Sequence, residues 1–117
     1  MYHEFIIVDK NEIPNQISYN LKLNHHSIKV SDDIIVNNDL FLKGFKTYKI
    51  YLNNIGEGLD YYGNTILPTQ SIEKFVQNIK KAYLTNGDDV IQNQLSDLIE
   101  MCNQALKENK YLIHFGI

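Results

Sequence analysis

Gly56-Glu57-Gly58-Leu59-Asp60-Tyr61-Tyr62-Gly63 divides the chain into two parts with different apolar periods, and half of the six glycines fall in these eight residues. Before it, apolar and polar residues mostly alternate, the period of strands with one wet face. After it come a short apolar run, two segments of helical period and a last apolar run. This order predicts one α+β domain: a mostly antiparallel sheet of five to six strands, two amphipathic helices on one face, and a C-terminal strand inside the sheet.

Downstream, Thr65-Ile66-Leu67 reads as a short strand that Pro68 stops, with Thr69 or Ser71 capping a helix over 70–84. Ile72, Phe75, Val76, Ile79 and Tyr83 fall on one face of it, and Lys74, Gln77, Asn78 and Lys81 on the other. Asn86-Gly87 ends that helix. Asp88 or Asp89 caps a second one over 89–108, where acids suit the N-terminal dipole. Ile91, Leu95, Leu98, Cys102, Ala105 and Leu106 form its apolar stripe, and it frays near Asn109. Tyr111 to Phe115 has little polar interruption, as expected of a strand covered on both faces.

Upstream, Tyr2 to Val8 is a strand. Pro14 disfavours a helix over 11–17. Ile17, Tyr19, Leu21 and Leu23 alternate with polar residues, which predicts a strand, and Ile28 to Val30 pairs back. Asp32-Asp33 reads as a turn before Ile34-Ile35-Val36, and Leu40 to Leu42 runs to a bend at Gly44. Tyr48, Ile50 and Leu52 predict a further strand.

A length of 117 residues fits one domain with its own core. The net charge is −3, every one of the 11 basic residues is lysine, and arginine is absent. Without the guanidinium fork for phosphate or guanine, and with an acidic balance, nucleic-acid binding is not expected; a basic protein is the natural partner. Cys102 is the single cysteine, so no internal disulfide forms, and its place on an apolar helix face makes it a small buried hydrophobe. No signal-peptide pattern and no membrane-length apolar run is read, so the expected compartment is the cytoplasm.

No catalytic or cofactor pattern emerges. The glycine stretch lacks the third glycine of a dinucleotide loop, since position 61 is Tyr61, and it lacks the P-loop lysine. Glu57 and Asp60 could form an acid–base pair, or could be solvated carboxylates bonding local amides. His25 and His26 are adjacent and point apart in extended chain. His3 and His114 stand alone, and no metal-ligand spacing occurs, so no cofactor or metal is expected. His114 reads as a hydrogen-bonded core or interface residue. Asp97 and Glu100 share the exposed face of the second helix, either as a solvated face or as an acidic patch for a basic partner. Tyr61 and Tyr62 offer large contact area at low entropic cost in a binding loop; otherwise one ring packs on the sheet and the other lies on the surface.

Glu57-Gly58-Leu59-Asp60-Tyr61-Tyr62-Gly63-Asn64-Thr65 and Ile113-His114-Phe115-Gly116-Ile117, with the helices between them, resemble small bacterial immunity proteins. These accompany polymorphic toxins, including those of contact-dependent growth inhibition. The resemblance spans residues 50–117. It implies a cytoplasmic inhibitor that binds one cognate toxin domain, often a nuclease, and blocks its active site or substrate access; the lack of a catalytic pattern adds the expectation that the chain is not an enzyme. No site residues carry over from it. The residues themselves nominate Glu57, Asp60, Tyr61, Tyr62, Asp97 and Glu100 as partner-binding. A small hydrolase or metal-dependent enzyme is the alternative, and a homo-oligomeric scaffold using an exposed sheet edge is a further one.

Overall fold

The computed structural model describes residues 1–13, 19–49 and 54–117. Six strands form one sheet: β1 (Tyr2–Val8), β2 (Ile28–Ser31), β3 (Lys46–Lys49), β4 (Ile55–Glu57), β5 (Asn64–Leu67) and β6 (Tyr111–Phe115). Their order is β2-β1-β6-β5-β3-β4, and every pairing is antiparallel. The C-terminal strand therefore sits inside the sheet. Its register sets Phe5 opposite His114 on one side and Thr65 opposite His114 on the other.

The period-two rule assigns the faces. Phe5, Val30, Leu67 and Leu112 point into the main core, while Ile6, Val8, Ile66, Ile113 and Phe115 point into a smaller cluster on the opposite face. The main core is closed by two long helices, Thr69–Thr85 and Asp89–Glu108. Ile72, Phe75 and Ile79 of the first and Leu95, Leu98 and Cys102 of the second are fully buried there. Burial pushes the Cys102 thiol up, which keeps it protonated and inert.

Among the described residues, a 3-10 turn (Lys10–Glu12) and three short α-helices precede them: α1 (Tyr19–Leu23), α2 (Asp32–Ile35) and α3 (Asp39–Leu42); the long pair are α4 and α5. The expectation of a strand through Leu21 and Leu23 is overturned, with Ile17 outside the described residues. Leu21 packs into the smaller cluster and Leu23 is exposed. A helical turn lies over the second sheet face here, and four alternating residues were too short a signal to exclude it. Asp32-Asp33 opens a helical turn rather than a reverse turn, with the Ser31 side chain accepting from the Asp33 amide. Similarly, Asn38 caps α3 by accepting from Leu40. The strand expected through Tyr48 is described as far as Lys49; Ile50 and Leu52 lie outside the described residues.

The long helices begin differently. Pro68 takes the N-cap position of α4 with no side-chain bond, and of the two expected caps Thr69 serves otherwise: its Oγ1 donates to the Lys110 carbonyl at 2.6 Å. This ties the start of α4 to the chain entering β6. Asp88 caps α5 as expected, accepting from the amides of Val90 and Ile91 at 2.9 and 3.2 Å. Asp88→Ala leaves those amides to water and is expected to cost about 1 kcal/mol by urea denaturation. At its other end Asn109 adopts the left-handed conformation, φ 56°, and Lys110 N–H donates to Ala105 at 2.8 Å. That closure turns the chain directly into β6.

Candidate functional site

The glycine stretch is part strand and part loop. Ile55, Gly56 and Glu57 form edge strand β4, with Glu57 opposite Lys46. Glu57 is therefore exposed on a strand, and does not share a loop with Asp60. Gly58 then breaks the strand with φ +64°. A Cβ at this position would collide with the Leu42 carbonyl, so glycine is required by the close backbone approach as well as by the dihedral. From there the chain forms the loop 59–63 at one corner of the molecule.

That loop is bonded at several points. Gly58 N–H donates to Phe45 at 2.8 Å, and Leu59 N–H donates to Phe41 at 3.0 Å. Asp60 N–H donates to Thr65 Oγ1 at 2.8 Å, and the Asp60 carboxylate accepts from Tyr62 N–H. Gly116 N–H donates to Gly63 at 2.8 Å and Ile117 N–H to Tyr61 at 3.0 Å, so the C-terminus is laced to the loop.

The two tyrosines take different environments. Tyr61 is partly buried and its hydroxyl donates to Asp32 Oδ1. Tyr62 is 78% exposed, with its ring edge-on to Tyr61 at 4.8 Å. Asp32 and the exposed Asp33 open α2 at this corner, and Asp60 is half-buried in the loop. The corner thus combines three carboxylates with one exposed aromatic ring. The hydrogen bond from Tyr61, then that from His3, hold the Asp32 carboxyl below its usual range. The same bond pushes the Tyr61 phenol up to about 12.

Behind the corner lies a feature the sequence did not signal. His3 and His114 are both fully buried, at diagonal positions on the neighbouring strands β1 and β6, with Nδ1 of His3 2.8 Å from Nε2 of His114. Their rings stack with centroids 5.0 Å apart and planes 13° apart. His3 Nε2 lies 2.9 Å from Asp32 Oδ1, and His114 Nδ1 lies 3.3 Å from Thr65 Oγ1. One continuous chain results: Thr65, His114, His3, Asp32, Tyr61. All four ring nitrogens are engaged within it, which satisfies two deeply buried polar groups. The reading of His114 as a hydrogen-bonded core residue holds, but neither His3 nor His114 stands alone. Among the described residues, no three His, Cys, Asp or Glu side chains are placed to share a metal ion.

Asp97 and Glu100 lie elsewhere, exposed on α5. They border a shallow groove of about 400 Å³ whose other walls are His26, Ile28, Met101 and Gln104. Gln94, one turn earlier on α5, accepts from Ser31 N–H at 2.8 Å at the other end of β2. The structure therefore divides the nominated residues: Asp60, Tyr61 and Tyr62 share the corner, Glu57 stands on β4, and Asp97 and Glu100 line the groove. A second cleft, of about 430 Å³, is lined by Asp33, Asn37, Asn38, Asp39 and Asn86 among others, and carries more carboxylate beside α2.

Among the described residues, no helix is long and apolar enough to cross a membrane. No protein-family model, curated protein or solved structure matches the chain.

Proposed function

We propose that the chain is an immunity protein that binds a cognate toxin domain, a nuclease in this reading, and blocks its active site or substrate access. The observation that carries the proposal is the corner itself: an exposed Tyr62 among Asp32, Asp33 and Asp60, on a loop held by hydrogen bonds into a buried side-chain chain. A loop fixed before contact loses little entropy on docking. A nuclease must attract phosphate, so its cleft is basic, and an inhibitor that fills it presents carboxylates around an aromatic anchor. The net charge of −3 and the absence of arginine agree with such a role. The groove bordered by Asp97 and Glu100 is a second acidic surface for the same partner.

The first test is genetic and biochemical. The neighbouring upstream reading frame should encode a long secreted protein ending in a toxin domain. Co-expression of this chain should relieve growth arrest by that domain, and the two should purify as a complex. Arrest that persists despite soluble, folded protein defeats the proposal.

Binding kinetics then locate the contact. Complementary charge mainly speeds encounter, and a desolvated aromatic anchor mainly slows release. Asp60→Lys is expected to lower the association rate and weaken its salt dependence. Tyr62→Ala is expected to raise the dissociation rate, costing about 2 kcal/mol, roughly 30-fold. Tyr62 is the cleaner choice of the two rings, because removing Tyr61 also removes the Asp32 bond. Unchanged kinetics in Asp60→Lys and Tyr62→Ala, with Asp97→Lys impaired, would move the contact to the α5 groove.

A further inference from the structure

The buried chain from Thr65 to Tyr61 has a direction that protons can reverse only once. In the uncharged arrangement each donor has an acceptor: Thr65 O–H donates to His114 Nδ1, His114 Nε2–H to His3 Nδ1, and His3 Nε2–H to the Asp32 carboxylate, which also accepts from Tyr61. Thr65 Oγ1 in turn accepts from Asp60 N–H. One added proton can be accommodated. His3 then carries N–H on both nitrogens, donating to Asp32 and to His114 Nε2, while the His114 proton moves to Nδ1 and donates to Thr65 Oγ1. The positive charge rests on His3 beside the Asp32 carboxylate, and only the Thr65 hydroxyl hydrogen loses its acceptor. A second proton has no place. It would set N–H against N–H across the 2.8 Å gap between the rings, and put two cations side by side in a fully buried site.

We propose that His3 and His114 form a one-proton acid switch, which holds the loop 59–63 and the C-terminal residues to the sheet while the pair carries at most one proton beyond its neutral form and releases them when a second is added. The parts are placed for this. The pair bridges β1 and β6, Asp32 joins it to α2 and Tyr61 joins it to the loop, while Thr65 holds the far side of the same loop through Asp60. The charged and titratable groups around the pair are Asp32, which faces His3, and Tyr61, which faces Asp32; the Met1 amino group acts on Asp32, and Tyr62 and then Asp33 act on Tyr61. From the core side the contact is apolar: Phe5 lies 5.1 Å from the His114 ring, with Phe75 of α4 behind it.

The titration of His114 agrees in sign. Burial, and then the charge of His3, hold its imidazolium well below the usual value of 6.5. The unfolded or released chain binds that proton more readily than the native one. Native stability from this group is therefore complete above about pH 6.5 and declines as pH falls from there toward the depressed native value. Asp32, also depressed, adds a further decline below its usual 3.8. The direction is release on acidification.

The test needs no partner and so stands apart from the toxin-binding proposal. Ring-nitrogen chemical shifts of His3 and His114 in the intact chain are followed from about pH 8 to about pH 4, spanning the histidine and carboxylate ranges. Amide exchange at Gly63, Gly116 and Ile117 is measured in parallel. The expected result is that one charge at most enters the pair while those amides stay protected, and that His114 becomes cationic only as protection is lost. Both rings becoming cationic with the amides still protected overturns the proposal. Tyr61→Phe removes one bond to Asp32 and keeps the ring; it should move the loss of protection upward by about one pH unit. His3→Gln keeps a neutral donor and acceptor, and should remove the transition in the histidine range. An acid transition unchanged in both variants also overturns it. If His3→Gln does not fold, Tyr61→Phe and the wild-type shifts decide the matter alone.

Discussion

Phe75→Ala is expected to destabilise the protein by about 4 kcal/mol, the largest effect of any single side-chain truncation considered. Phe75 is fully buried on α4, and its ring meets Phe45 at 5.0 Å, Phe5 at 6.0 Å and Phe41 at 6.1 Å. These neighbours come from the sheet that α4 covers (Phe5 of β1), from α3 (Phe41), and from the turn into β3 (Phe45). No one of them can follow the missing ring without leaving its element, so the cavity stays largely unfilled. The loss therefore combines the transfer term with the cavity term. Urea denaturation should show a lower midpoint with an unchanged slope. A loss below about 1 kcal/mol would mean that the site collapses, contrary to the anchoring described.

Gly58→Ala is expected to cost about 3 kcal/mol, although it adds one methyl group. Two penalties coincide: a positive φ that alanine disfavours, and a Cβ driven into the Leu42 carbonyl, which belongs to backbone and cannot turn aside. Relieving the clash would pull on two bonds that set the loop, from Gly58 N–H to Phe45 and from Thr47 Oγ1 to the Gly58 carbonyl at 2.7 Å. The expected drop in thermal midpoint is about 12 °C for a chain of this size. Gly87→Ala is the control, since nothing lies within 4 Å of a Cβ there. Equal melting of the two variants would show that the 58 position tolerates a side chain. Because the same bonds set residues 59–63, Gly58→Ala should also weaken any partner that docks on Tyr62, even in conditions where the chain remains folded.

Sequence alone determined the parts whose information is local. The α4 and α5 stripes repeat over three turns or more, and Asp88 sits where an N-cap must be, so both helices were legible to within a residue or so. Tyr111 to Phe115 was legible as an interior strand because a run with little polar interruption is expected to be covered on both faces. Short segments were not legible in the same way. Residues 19–23, 32–35 and 39–42 are one helical turn each or little more, and such turns exist because tertiary neighbours hold them, not because their own propensity does. The candidate site divides along the same line. The sequence marked Asp60, Tyr61 and Tyr62 as exceptional because glycines and aromatics met in one loop, and it could not distinguish the ring that would be tied down from the ring left in water. The hydroxyl of Tyr61 finds its acceptor 29 residues away in Asp32. His3 and His114 are 111 residues apart, and nothing near either one announces the other. They meet because β6 enters the sheet beside β1 in the register that sets Phe5 opposite His114, and burial of both faces of the sheet fixes that register. A slip of one residue between β6 and β1 would leave the two imidazoles on opposite faces and break the chain from Thr65 to Tyr61, so the network is a product of tertiary packing and of nothing shorter in range.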